Sequence, residues 1–137
     1  MRIDAVGHGE IPHRVEASIV ICGPDISVCF VGGEGPHIGA IALGIPRPSL
    51  ADSSVASASA SVLCVTGHKE DLLARSAALE LATDFGCRIN VTVGLHVDLA
   101  SDADIRLLDA NYREVLTEVK QRISLMRDST REGDLDV

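Results

Sequence analysis

Two runs rich in β-branched residues, Val15 to Cys22 and Ile26 to Val31, are separated by Gly23-Pro24-Asp25, and this arrangement predicts a hairpin. A third apolar run, His37 to Gly44, reads as a strand whose glycines and alanines leave a flat face open to close approach. Ser57, Ser59 and Ser61 then alternate with Ala58, Ala60 and Val62 and lead into Leu63, Cys64 and Val65, so the period of two predicts a fourth strand with its hydroxyls on one face. The proline- and serine-dense segment 46–56 between them reads as a loop. Residues 1–14 mix glycine, histidine and charge without a period, as expected for an N-terminal arm or an irregular strand.

Helical spacing begins after Thr66-Gly67. Ala74, Ala78, Leu81 and Phe85 recur at three or four residues within 68–85, and Gly86 supplies the stop. Arg88 to Val93 alternates again as a fifth strand. Ser101 with Asp104 three residues on resembles a capping box, and Ile105, Leu108, Tyr112, Val115, Val119, Ile123 and Met126 form one long stripe expected to face the core. The expected layout is a single α+β domain over residues 15–127 with a polar flexible tail at 128–137. Its order is β-β-β-β-α-β-α, in a mostly antiparallel or mixed sheet of five or more strands with two helices on one face. A Rossmann unit is excluded, because the glycine-rich segment 32–39 leads into a strand and not a helix.

Composition narrows the function. The chain has 137 residues, is 46% hydrophobic and carries only 2% aromatics, so its core is built from Val, Ile, Leu and Ala. A formal charge of −8 and the lack of any Lys/Arg cluster argue against nucleic acid as a partner. Cys22, Cys29, Cys64 and Cys87 show no zinc-type spacing and read as buried reduced thiols. No apolar leader or bilayer-length run is visible, so a cytoplasmic protein without membrane contact is the expectation.

Three polar clusters interrupt the apolar runs: Glu34, His37 and Arg47 to Ser49; Gly67-His68-Lys69-Glu70-Asp71; and His96 with Asp98. The second stands at a strand-glycine-helix junction, where free backbone N–H groups and the helix dipole favour an anion, while its carboxylates oppose one. An ordinary acidic first turn with a solvated lysine fits the same residues. Arg47 reads as a phosphate fork or as an exposed loop arginine. His37, His68, His96 and Asp98 are candidate ligands for a divalent metal, though their spacing matches no contiguous metal motif and satisfied structural histidines fit the pattern better. No nucleophile and base occur in a recognisable catalytic order.

Taken together, "GGEGPHIGAIALGIPRPSL" (32–50), "ASASASVLCVTGHKEDLLARSAALELA" (56–82) and "INVTVGLHVD" (89–98) resemble the LpdD-like prenylated-flavin chaperones, whose fold is related to that of proteasome assembly chaperones. The resemblance spans roughly residues 15–125. It implies a homodimeric accessory protein, not an enzyme, that holds prenylated FMN or FMN and supports maturation of a UbiD-type decarboxylase. Carried onto this chain, it implies a cofactor site drawn from Gly33, Glu34, Pro36, His37, Gly39, Arg47, Ser49, Gly67, His68, Lys69, Glu70, His96 and Asp98. A divalent metal shared among His37, His68, His96 and Asp98 would offset the acidic residues beside a phosphate. Two other readings stand beside it: an assembly module with no small-molecule ligand, and a small enzyme acting on a phosphorylated metabolite with His37 or His96 as base.

Overall fold

The structure, a computed structural model, describes the backbone of residues 1–133 and the side chains of residues 1–129. Six strands and two helices follow one another as β1 (Arg2–His8), β2 (Val15–Cys22), β3 (Asp25–Gly33), β4 (Ala40–Pro48), β5 (Ala56–Cys64), α1 (Asp71–Phe85), β6 (Ile89–His96) and α2 (Asp102–Gly133). They form one sheet in the order β1-β2-β3-β6-β4-β5. All pairings are antiparallel except β3 with β6, so the sheet is mixed.

The β2–β3 hairpin turns at Gly23-Pro24, with Cys22 opposite Asp25. Residues 1–14 are more regular than an arm. Arg2–His8 pairs along β2, and the turn after it is tied to α2 by Asn111 donating to the His13 carbonyl at 2.7 Å. β4 also runs further than the apolar pattern suggests, through Pro46-Arg47-Pro48. Its pairing with β6 stops at Gly44, so both prolines lie where β4 is bonded only to β5 and no donor is needed on the other side.

Both helices cover the same face. Val15, Ala17, Ile19 and Ile21 of β2, Ile26, Val28 and Phe30 of β3, and Ile89, Val91 and Val93 of β6 point inward and are buried. α1 lays Ala74, Ala77, Ala78, Leu81 and Ala82 on the β4–β5–β6 side, and α2 lays Tyr112, Val115, Val119 and Ile123 on the β1–β2–β3 side. Each large apolar side chain so buried contributes roughly 1.5 to 3 kcal/mol. Phe30 and Tyr112 meet at the middle with centroids 5.0 Å apart. Gly86 ends α1 in the left-handed conformation, its N–H donating to the Ala82 carbonyl, and Ser101 with Asp104 closes a reciprocal cap at the start of α2. α2 continues to Gly133, so the expected tail is helical over 128–133, and residues 134–137 lie outside the described residues.

The opposite face of the sheet is uncovered. Ile41, Leu43 and Ile45 of β4 and Leu63 of β5 stand exposed on it beside Ser59 and Ser61. The cysteines depart from expectation: only Cys87 is buried, while Cys22 and Cys64 are exposed at strand ends and Cys29 is half-buried on the outer face. All four are free thiols. Among the described residues no helix is long and apolar enough to cross a membrane.

Candidate functional site

The parallel β3–β6 pair decides where the polar clusters meet. β3 and β6, being parallel, both finish at one end of the sheet; β4, antiparallel to β6, starts there, and β5, antiparallel to β4, finishes there. The loops 34–39 and 65–70, the segment after His96, and the N-termini of α1 and α2 therefore share that end. Gly33, Glu34, Pro36, His37, Gly39, Gly67, His68, Lys69, Glu70, His96 and Asp98 are all brought to it. Arg47 and Ser49 are not. They lie at the far end of β4, seven strand residues beyond Ala40, or about 23 Å at the usual rise. Arg47 there donates to the Ser59 hydroxyl at 2.7 Å and to the Pro48 carbonyl. Within one chain it shares no pocket with His37.

Two glycines let the loops close on one another. A Cβ on Gly94 would lie 1.7 Å from the His37 carbonyl oxygen, and one on Gly39 would lie 2.5 Å from the Glu70 carboxyl carbon. Neither space exists for any other residue without displacement. The result presses His37 against Glu70: the His37 Nε2 stands 2.8 Å from Glu70 Oε1 and 3.0 Å from His68 Nδ1, while His37 Nδ1 stands 2.8 Å from the Gly35 carbonyl. Nδ1 faces an acceptor and so carries the hydrogen, which leaves Nε2 as the atom directed at the carboxylate.

Glu70 is buried at the start of α1, with its carbonyl accepting from Ala74 and its Oε2 accepting from the Lys69 N–H at 2.9 Å. Burial pushes its pKa up, but the backbone N–H groups of Glu70 and Lys69 and the His37 ring outweigh that, and the net shift is downward. The carboxylate is thus held ionised. His96 turns away from this group and pairs with Asp98 at 2.8 Å, its ring edge-on to His37 with centroids 6.3 Å apart.

Behind the cluster a cavity of about 450 Å³ opens between the first turns of the two helices. Its apolar wall is Leu73, Leu95, Val97, Ile105 and Leu108, and its polar rim includes His68, Lys69, Glu70, His96, Asp104 and Asp109. Ile105 belongs here and not in the core stripe, since it is more than half exposed, whereas Leu108 lines the cavity while packing against the edge of the core. Asp104 is fixed in place by the His13 ring at 2.7 Å and by Ser101, and these bonds hold its pKa at about 2. The sequence reading missed Leu73, Leu95, Asp104, Ile105, Leu108 and Asp109 as cavity residues. The one available signal was Asp104-Ile105 followed by Leu108-Asp109, an apolar and an acidic pair repeated one helical turn apart.

Residues 9–124 match the prenylated flavin chaperone LpdD-like domain. The chain belongs to that family. Its members are chaperones, in accord with an accessory role and not a catalytic one. The prenylated flavin chaperone fold is also similar to a chain in the crystal structure of a chaperone complex for yeast 20S proteasome assembly, at 14% identity and a TM-score of 0.53, over 91% of this chain and 98% of that one. That likeness concerns the fold. No curated protein sequence matches the chain.

Proposed function

We propose that the protein holds prenylated FMN, or FMN, in the cavity between the two helix N-termini, and delivers it to a UbiD-type decarboxylase. The observation that carries this reading is the cavity itself: an apolar wall from both helices and β6, with Lys69 and the start of α1 at one rim. At about 450 Å³ it lies in the range of small-molecule sites. The flat ring system would occupy the apolar wall, and the phosphate would meet Lys69 and the free N–H groups of the first turn of α1, which has no side-chain cap. Among the described side chains, Phe30, Tyr112 and Phe85 are all engaged elsewhere, so the ring would lie against aliphatic residues and imidazoles. Such a site suits cargo that has to leave.

The working form in this proposal is a cytoplasmic homodimer. Four free thiols suit a reducing compartment, and a second copy of the chain covers the exposed Ile41, Leu43, Ile45 and Leu63. The flat alternation of these residues with serines allows the same patch to meet itself about a two-fold axis. Flavin fluorescence quenching tests the cargo assignment directly: saturable quenching of FMN at one site per chain supports it, and unquenched titrations with FMN and with the prenylated form would reject it.

A further inference from the structure

We propose that His37, His68 and Glu70 form a site for a first-row divalent cation of the Zn²⁺ type, with one coordination position open to the cavity. The three side chains place one imidazole nitrogen each and a carboxylate oxygen within 4.8 Å of one another. The separations are 2.8 Å for His37 Nε2 to Glu70 Oε1, 3.0 Å for His37 Nε2 to His68 Nδ1, and 3.6 Å for His68 Nδ1 to Glu70 Oε2. Three ligand atoms bound to one tetrahedral ion at about 2.1 Å would lie about 3.4 Å apart, so side-chain shifts on the order of half an ångström bring the two imidazole nitrogens and a Glu70 oxygen to that spacing.

The hydrogen-bond pattern points to a cation. His37 gives its Nδ1 hydrogen to the Gly35 carbonyl, a backbone partner of the kind that orients metal-bound histidines. Its Nε2 then faces the Glu70 carboxylate and a second imidazole nitrogen, so three potential ligand atoms are aimed at one region. A proton joins two of them. A divalent ion joins all three. Glu70 is further held from behind by the Lys69 N–H on its other oxygen.

The donor set selects the class of ion. Two imidazoles and one carboxylate suit Zn²⁺, Co²⁺, Ni²⁺ or Fe²⁺ and not Ca²⁺ or Mg²⁺, which favour all-oxygen shells. Three protein ligands leave a place for an outside oxygen. His68 and Glu70 also line the cavity, so that place faces its interior. One extension rests on the flavin-nucleotide reading: the open position takes a phosphate oxygen, and the ion converts an acidic rim of Glu70, Asp104 and Asp109 into one that receives an anion.

Calorimetric titration of Zn²⁺ into metal-stripped full-length protein, with Co²⁺ absorption as a second readout, tests the site. One ion per chain is expected, with affinity at least tenfold weaker in His37→Ala and His68→Ala and unchanged in His8→Ala. Because His68 sits in an exposed loop, its variant stays folded and keeps the test decisive. No stoichiometric binding, or equal binding by all variants, overturns the site. FMN and riboflavin titrations with Zn²⁺ and with chelator then test the bridge. Tighter FMN binding with the ion, without a matching gain for riboflavin, supports it. FMN affinity independent of the ion overturns the bridge and leaves the cargo reading intact, whereas Zn²⁺ binding without any flavin binding overturns the cargo reading and leaves the metal site standing.

Discussion

His37 and Glu70, thirty-three residues apart in sequence, meet at 2.8 Å because Gly39 leaves no side chain between the loop and the start of α1. That contact joins the first of the three polar clusters to the second.

Gly39→Ala should break it. The added methyl would fall 2.5 Å from the Glu70 carboxyl carbon, and overpacking of this kind costs roughly 1 to 3 kcal/mol. The expected outcome is a native circular dichroism spectrum, a lowered denaturation midpoint, and FMN binding at least tenfold weaker. A variant with parental midpoint and affinity would show that the two loops are not in contact.

Lys69 and Arg47 should behave differently although both are candidate phosphate donors. Lys69→Ala removes a charge-assisted bond at the cavity rim, worth about 1.5 to 3 kcal/mol, so FMN affinity should fall ten- to a hundredfold while riboflavin affinity holds. Arg47→Ala acts at the other end of β4 and should leave both ligands unaffected. Equal loss from the two variants in a monomeric preparation would contradict the placement.

Leu43→Glu addresses the uncovered face. Leu43 is about 41% exposed between Ile41 and Ile45 on the outer surface of β4, and the proposed dimer would bury two copies of the new carboxylate. Self-association should weaken on the order of a hundredfold or more, read by sedimentation equilibrium. An unchanged dimer would place the interface elsewhere.

Acid should loosen the start of α2. The His13 ring and Ser101 hold Asp104 at about 2, below the ordinary carboxylate value of 3.8, so its contribution is complete above about pH 4 and is lost as pH falls towards 2. The stability difference between the parent protein and Asp104→Asn, measured by urea denaturation, should therefore shrink steadily across that window. A difference that stays constant would mean that the pair does not couple to folding.

The readable parts of the fold are those in which burial follows a period. β2, β3, β5, β6 and both helices alternate or repeat as their packing requires. β1 does not, because its alternation is reversed: Ile3 points outward, while Asp4 turns inward to accept from Arg122 of α2 at 2.6 Å. An inward carboxylate with a distant partner gives no local signal. The parallel β3–β6 pair is equally silent, since Ile26 and Ile89 are adjacent only in space. The structure brings the clusters flanking β3, β5 and β6 to one end of the sheet, but Arg47 and Ser49 lie away from them, because the segment that reads as a loop continues β4 to Pro48. The apolar half of the cavity gives no separate signal, because Ile105 and Leu108 keep the spacing of core residues while also lining the cavity.

The central position of β6 has a consequence for biosynthesis. β1-β2-β3 and β4-β5 can each pair while the chain is emerging, but nothing bonds one group to the other until Ile89–His96 slots between them. A ribosome-bound nascent chain therefore exposes two half-sheets until β6 has emerged, and the cavity, whose wall includes Leu95 of β6 and Ile105 and Leu108 of α2, closes only after that.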